Sequence, residues 1–436
     1  MARKTITKTV CQYSAGVIAP EVMEKLSAVA AGYSAVKNYV YRRYGGIGSL
    51  DKLYPGYTVQ NEMTKTGLRQ TLGLSGASFY PAIFEALVDI RNQWDREKTL
   101  LGQRVRGNAN LSEADRHYLR YVLSVDKIFS AVLNHRSPQV SAKFLKHYAE
   151  LVGRVETRRL DNYLRRQARK LHGRLQVGNT GRFAATPDGY RYADHGIYLA
   201  TTERRRRVFV PLTDNNCYGR QIEVKLLAEK SALEIYAPIE VKVREHEDYQ
   251  AQLGLAMGMK VMLTTHEGHT YGEDISAYQE ALSNWLRAEH DKYQRNRLAN
   301  PGRKKYAAEK RRLEEHLHSY INQEINRLLR TEKPERIYIM KFPGGNRRSG
   351  ARAVNYALGT WQRGYIRKQL RLKCQENNVE LVEVFGKGIA TECSICGAEG
   401  KRSDGVFTCD CGNCVPEKQN VACNAKKRGM ENRPSG

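Results

Sequence analysis

The sequence predicts an α+β multidomain protein: a small β-barrel-like domain with an inserted helical lobe, then an α/β domain carrying a cysteine-rich insertion. Three observations predict it. Period-two, β-branched stretches lie on both sides of a long region of helical periodicity; from about residue 249 strand and helix patterns alternate; and cysteines crowd near the C-terminus in C-x2-C spacing. The 436 residues suffice for two or three cores. Lys and Arg outnumber Asp and Glu by 72 to 46, a formal charge of +26, which calls for a polyanionic partner, nucleic acid foremost. No apolar run approaches the roughly eighteen residues of a membrane span, and the first residues, Met1-Ala-Arg-Lys-Thr-Ile-Thr7, have no signal-type apolar segment. The expectation is a cytoplasmic, nucleoid-associated protein with no membrane partner. Nine cysteines, mostly clustered, fit metal binding rather than a secreted disulfide framework.

Taken in order, Thr5–Gln12 alternates as a strand. From about Ala19, Val22, Leu26, Val29, Tyr33, Val36 and Val40 form one face of a long helix that Gly45-Gly46 stops. Helical patterns continue over Pro81–Trp94 and Glu113–His135, separated by a turn read at Gly102–Asn110. A further helix follows within Arg154–Arg174, with Leu160, Tyr163, Leu164, Ala168 and Leu171 as its apolar stripe. Ile197–Ala200, Arg207–Pro211, Gln221–Leu226 and Leu233–Val243 are short strands. Gln252–Thr264 reads as an apolar strand entering a hairpin with Thr270-Tyr-Gly272. Ile275–Arg330 is helical, broken at Asn300-Pro301-Gly302; Arg336–Met340 is a strand, Ala353–Asn377 a helix and Val379–Phe385 a strand. The expected domains are residues 1–18, 179–248 (together the β, or wedge, domain), 19–178 (helical lobe), 249–390 (α/β domain), 391–415 (cysteine insertion) and 416–436 (last motif and tail).

Charge is concentrated in particular segments. The helix near 158–170 sets Arg158, Arg159, Arg165, Arg166, Arg169 and Lys170 against few acids, so its like charges lack counter-charges unless phosphates supply them. Arg204, Arg205, Arg206 and Arg207 run into a strand start. Arg295, Arg297, Arg303, Lys304, Lys305, Arg311 and Arg312 surround the break in the later helical hairpin. Lys4 precedes the first strand and Lys8 lies within it. Arg42 and Arg43 lie among Tyr39, Tyr41 and Tyr44, a pattern that suits base stacking and phosphate pairing. The same pattern equally describes core tyrosines with solvated arginines. Cys393-x2-Cys396 is one half of a zinc site, and Cys409, Cys411 and Cys414 compete for its other two places. Cys411-x2-Cys414 has the better spacing and is preferred. Cys11, Cys217, Cys374 and Cys423 stand alone, and the histidines, including His266 and His269, receive no role.

Four motifs in this order resemble the RuvC-like nucleases of the transposon-encoded TnpB proteins and the miniature type V CRISPR effectors. Gly254-Leu-Ala-Met-Gly258-Met-Lys260 is similar to the family's G-I-D-x-G-x-K, Ile337-Tyr-Ile-Met-Lys341 to its I-V-x-E-D strand, the cysteine cluster to its zinc knuckle, and Asn420-Val-Ala-Cys-Asn-Ala425 to its D-x-D-x-N-A-A. The first residues also resemble the opening strand of the miniature effectors, and Phe407-x-Cys409 matches the family's lead-in to its second cysteine pair. The resemblance implies an RNase H-like (RuvC) domain with a structural Zn²⁺, a guide RNA and a double-stranded DNA target. It also implies that three carboxylates would hold Mg²⁺ for DNA cleavage. The matching positions are Ala256, Met340 (Lys341 if the strand shifts by one) and Ala422. The expectation is therefore a nuclease-dead member, not an enzyme and without catalytic Mg²⁺. It would occupy matched DNA and regulate transcription, by repression or by recruiting a sigma factor or RNA polymerase, as a monomer or as a homodimer on one guide RNA. Two alternatives stay open. One is an active RNA-guided endonuclease with ligands relocated among Asp248, Glu273, Asp274, Glu383 and Glu417. The other is a non-guided transposition accessory or RNA-binding protein.

Overall fold

The computed structural model describes residues 5–295, 302–341 and 360–431. The chain is mixed α+β and forms two compact units, Thr7–Ile239 and a second from Glu240 onward that also takes in Ile6. No helix among the described residues is long and apolar enough to cross a membrane.

In the first unit β1 (Thr5–Tyr13) leads into α1 (Pro20–Tyr44), α2 (Tyr57–Thr64), α3 (Leu68–Thr71), α4 (Gly76–Gly107), α5 (Glu113–Ser124), α6 (Asp126–Leu133), α7 (Ala142–Val152) and α8 (Thr157–Leu171). Helix α1 opens on Pro20, whose missing N–H has no partner to lose in a first turn. Its predicted stripe is buried at Leu26, Val29, Tyr33, Val36 and Val40. Beside that stripe runs a polar seam to α4. Tyr33 Oη donates to Glu85 Oε2 and Lys37 Nζ to Glu85 Oε1, each at 2.6 Å; Lys37 also meets Asp89 at 2.9 Å, and the Tyr41 hydroxyl donates to Asp89. Burial alone would lower the Lys37 pKa, but the two carboxylates outweigh it and raise the value.

Three sequence expectations change here. Helix α4 begins before Pro81, not at it. Proline removes the N–H that would bond the Ala77 carbonyl, and the Thr186 N–H takes that carbonyl instead at 3.0 Å. The helix also runs through Gly102 to Gly107, because Leu101 and Val105 are buried on its core face. The segment read as one helix from Glu113 to His135 is two, broken where Val125 turns extended at φ −115° and ψ 107°.

After the helices come β2 (Arg182–Ala185), β3 (Tyr190–Ala193), β4 (Gly196–Ala200), β5 (Arg207–Pro211), β6 (Ile222–Leu227) and β7 (Ala232–Lys242). Strand β1, which precedes the helices, shares a sheet with strands that follow them, in the order β1-β7-β6-β2. Alternate residues Ile222, Val224, Leu226 and Leu233, Ile235, Ala237 are buried, as period two requires. Strands β3-β4-β5 form a second sheet.

The second unit contains β8 (Ala251–Met257), β9 (Leu263–Thr265), β10 (Thr270–Tyr271), α9 (Ile275–Arg295), α10 (Gly302–Glu332), β11 (Pro334–Met340), α11 (Arg363–Glu376) and β12 (Glu380–Val384). Three short strands follow, β13 (Lys401–Ser403), β14 (Val406–Thr408) and β15 (Cys414–Pro416), and then α12 (Glu417–Glu431). The main sheet has the order β10-β9-β8-β11-β12, with β8, β11 and β12 parallel and the hairpin strands antiparallel. The strand expected over Gln252–Thr264 is interrupted after Met257, and β9 starts only at Leu263. Of the expected helix Ala353–Asn377, residues 353–359 lie outside the described ones.

Alternation divides this sheet. Leu253, Leu255, Met257, Ile337 and Ile339 join the core built with α9, α10 and α11, leaving Gly254, Ala256, Tyr338 and Met340 for the face that α12 covers. The approach there is close: a Cβ on Gly254 would lie 2.2 Å from the Ala422 carbonyl oxygen, and one on Gly429 would lie 2.0 Å from the Tyr338 ring. Gly254→Ala should therefore push α12 off β8 and destabilise the unit by about 1–3 kcal/mol. Gly102→Ala, where a Cβ meets nothing within 4 Å, should stabilise by about 0.5–1 kcal/mol through helix propensity. Thermal unfolding of the two variants should give shifts of opposite sign.

Candidate functional site

The three motif positions come together. Ala256 on β8 and Ala422 on α12 are 2 % and 0 % exposed, and they form one apolar cluster with Val384, Ile389, Val421 and Ala425, against which Met340 packs. The side chains of this cluster offer no oxygen ligand for a hard cation. Lys341, the alternative to Met340, is exposed and donates its N–H to the Val384 carbonyl at 2.8 Å.

Four of the five candidate replacement carboxylates, Asp248, Glu273, Glu383 and Glu417, are engaged elsewhere. Glu383 is one residue from Val384 and so faces the other side of β12, where Arg367 and Arg371 of α11 hold it at 2.5 and 3.0 Å. Burial opposes its ionisation, yet these arginines keep its pKa below the usual range. Asp248 pairs with Lys333 at 2.7 Å, Glu417 with Arg402 at 2.9 Å, and Glu273 accepts from the Thr270 hydroxyl. The Asp274 backbone N–H donates to Tyr320 Oη at 3.0 Å.

Beside the apolar cluster, α12 braces two loops through polar side chains, two of them asparagines of the last motif. Asn420 and Asn424 are 0 % and 1 % exposed. Asn420 Nδ2 donates to the Glu392 carbonyl at 2.8 Å and its Oδ1 accepts from the Ser394 N–H at 3.0 Å, while Asn424 Nδ2 donates to the carbonyls of Ile389 and Glu392 at 3.0 and 2.7 Å. Asparagine at 420, where the resembled motif has aspartate, supplies the donor that this brace needs. On the hairpin side, Lys426 Nζ meets His266 Nε2 at 2.7 Å. Burial first, then the Lys426 charge, lowers the His266 pKa from its ordinary value, against the opposing pull of Glu267 and Glu332.

The brace carries the cysteine site. Cys393, Cys396, Cys409 and Cys411 bring their sulfurs within 4.8 Å of one another. Cys393 and Cys411 are 3.6 Å apart, and Cys396 and Cys409 3.5 Å. These separations are too long for disulfides and near the roughly 3.8 Å edge of a tetrahedron with Zn–S of about 2.3 Å. The four thiols can hold a zinc ion. Burial would raise the Cys393 pKa, but the N–H groups of Cys396 and Ile395 and the Asn413 amide, 3.2 Å from its sulfur, bring it to about 6. The preference for Cys414 is corrected in favour of Cys409. The turn closed by Cys409 N–H on the Asn413 carbonyl and Gly412 N–H on the Cys409 carbonyl folds Cys409 and Cys411 inward, while Cys414 opens β15 opposite Thr408.

The basic residues divide into two kinds. Arg158, Arg166, Arg169 and Lys170 are exposed along α8. Arg165 and Arg159 instead serve the fold: Arg165 Nε donates to the Val132 carbonyl at 2.7 Å, and Arg159 pairs with the buried Asp115 at 2.8 Å. Arg166 and Arg169 line a depression of about 420 Å³ with His135 and Asn162. Arg204, Arg205, Arg206 and Arg207 are all exposed, and Arg69 and Arg191 join them around a cavity of about 940 Å³. Those two come from α3 and β3, so no local pattern announced them. Arg42 and Arg43 are exposed and lie over the rings of Tyr39 and Tyr44. Tyr41 and Tyr44 are buried, with Tyr44 donating to Glu62 at 2.9 Å, and are core residues. Lys8 is half-buried in β1; Arg311 is exposed, and Arg312 pairs with Glu309 at 2.6 Å. Lys4 and Arg297 lie outside the described residues, as do the side chains of Arg295, Arg303, Lys304 and Lys305.

No protein-family model matches the chain, and no curated relative matches it. Among solved structures it is similar to a Cas12f1–sgRNA–target DNA complex, at 13% identity and TM-score 0.46, over 97% of this chain and 99% of that one. It is also similar to a CRISPR-Cas12f ternary complex, at 12% identity and TM-score 0.33, over 96% and 98%.

Two outcomes follow from the site. Cys409→Ser should lower the zinc content of the purified protein, whereas Cys414→Ser should leave it unchanged, as read by elemental analysis. Because the folded His266 pKa lies below its unfolded value of about 6.5, the unfolded chain binds the extra proton first on acidification. Stability should therefore fall as pH drops from about 6.5 toward the folded pKa, and His266→Gln should flatten that part of the denaturation profile.

Proposed function

We propose that this protein is an RNA-guided DNA-binding protein that occupies matched DNA without cutting it. The observation that carries the proposal is the convergence of Ala256, Met340 and Ala422 on one apolar cluster. Three positions far apart in sequence meet where the resembled family keeps its metal-binding carboxylates, which supports a RuvC-like reading of the parallel strands with α12. Two-metal hydrolysis needs anionic oxygens to hold the ions and activate water; two methyl groups and a thioether supply none. That supports loss of cleavage.

Binding makes different demands. A guide–target heteroduplex is gripped through its backbone and A-form shape, with sequence left to base pairing. The exposed arginines of α8 and of the Arg204–Arg207 turn suit that grip. A four-cysteine Zn²⁺ site would keep the loop before α12 rigid. A protein lodged on an opened duplex obstructs a polymerase, so repression of transcription is the foremost consequence; recruitment of a sigma factor or RNA polymerase is the other use of the same occupancy.

The test is to sequence the RNA that co-purifies with the chain and to offer a duplex matched to it. The expected result is one discrete RNA species, binding to the matched duplex over a scrambled one, and intact DNA in Mg²⁺. Mg²⁺-dependent cutting would restore the nuclease reading, and equal binding to both duplexes would leave a non-guided binder. Arg166→Ala with Arg169→Ala should weaken RNA binding regardless of sequence. It should also reduce the slope of log affinity against log salt by about 0.7 for each phosphate no longer neutralised.

A further inference from the structure

The turn between β9 and β10 carries Glu267 and His269, and it is firmly closed. Gly268 N–H donates to the Thr265 carbonyl at 3.1 Å, Thr265 N–H to the His269 carbonyl at 2.9 Å, and His269 N–H to Thr265 Oγ1 at 3.0 Å. Gly268 sits at φ 94°, a conformation that glycine adopts without strain, which lets the chain reverse between the two side chains. Glu332, at the end of α10 and 63 residues beyond His269, meets them there. Its side chain is 8 % exposed. Glu332 Oε1 accepts from the Tyr271 hydroxyl at 2.5 Å and lies 2.9 Å from His269 Nδ1, which is 4.0 Å from Glu267 Oε2. One donor atom of each of the three residues lies within 4.8 Å of the other two.

The two carboxylates lack the partners that this basic chain could supply. Among the described residues neither pairs with lysine or arginine; their ion-pair partners are His266 and His269. Nearby cations are committed elsewhere, Lys333 to Asp248 at 2.7 Å and Arg327 to Glu324 at 2.5 Å. A carboxylate in the last turn of a helix also faces the negative end of the helix dipole. Glu332 is thus a buried acid in an unfavourable field, with an imidazole as its basic partner, and a buried charge so weakly compensated is expensive.

We propose that Glu267, His269 and Glu332 form a second metal site, separate from the four cysteines, for a first-row divalent cation of the Zn²⁺ type. Zinc takes imidazole nitrogen together with carboxylate oxygen, and the nitrogen selects such ions over Mg²⁺ and Ca²⁺, which prefer oxygen alone. The separations of 2.9 and 4.0 Å from His269 Nδ1 bracket the edge of about 3.3 Å in a tetrahedron with bonds of about 2.0–2.1 Å. As the ion binds, the proton between His269 and Glu332 leaves to solvent and Nδ1 gives its lone pair to the metal. Exposed Glu267 and His269 leave the fourth position open to water. The bound ion ties the hairpin turn to the end of α10, and the site is independent of the guide-RNA reading.

The test uses the full chain with its cysteine site filled by Zn²⁺, verified by elemental analysis, and then titrated calorimetrically with further Zn²⁺. One additional ion per chain should bind, about tenfold or more weakly in Glu267→Gln or His269→Gln. Mg²⁺ and Ca²⁺ should give no saturable binding there. Both variants change exposed side chains, and His269→Gln keeps a donor for Glu332, so without added metal both should melt as the wild type does. Added Zn²⁺ should raise the melting temperature of the wild type and leave the variants unmoved. Absence of binding beyond the cysteine ion overturns the proposal. So does additional binding that survives both substitutions, or that Mg²⁺ equals.

Discussion

The second unit depends on how closely α12 lies on β8. With no side chain on Gly254, the Ala422 carbonyl can sit where a Cβ would be, and Gly429 gives the Tyr338 ring the same room. From that approach follow the burial of Ala422 against Ala256, the bracing of the 389–394 loop by Asn420 and Asn424, and the contact between Lys426 and the hairpin at His266. The candidate metal centre is assembled on the same helix, because the Asn420 carboxamide holds the backbone next to Cys393. Catalytic carboxylates at these positions would need water and a metal ion in that space. Methyl groups let the helix and sheet close on each other instead, and the proposed loss of cutting and the tight packing have one physical origin.

The first unit balances charge in a different way. Its buried ions are paired, as Lys37 with Glu85 and Asp89 and Arg159 with Asp115, since an unpaired charge in a core is expensive. The excess of arginine is left on α8 and on the 204–207 turn, where water screens the mutual repulsion and phosphates can relieve it. Membership of a basic run therefore does not assign a role. Arg165 and Arg166 are neighbours, yet one bonds the Val132 carbonyl and the other faces solvent.

Local pattern was enough to read most elements. The α1 stripe and the strands of 197–243 are legible because burial on one face imposes its period on the chain. The misread boundaries have long-range causes. Nothing near Pro81 shows that Thr186 will bond the carbonyl the proline leaves unpaired, and nothing near Gly102 shows that the core extends to Val105. The same holds for the site. Cys414 has the better spacing to Cys411, but the turn through Gly412 and Asn413 brings Cys409 to Cys396 instead. Arg69 and Arg191 were invisible because α3 and β3 are far apart in the chain.

By itself the sequence determined the alternation of elements, the large positive charge, the cysteine supply and the absence of a carboxylate at Ala256, Met340 and Ala422, because each is a property of residue identity or short-range period. Only the tertiary structure decided that those three positions share one apolar cluster, which cysteines converge, and which arginines stay exposed. Those are questions of where distant segments meet, and the meeting is set by packing between faces that no local window contains.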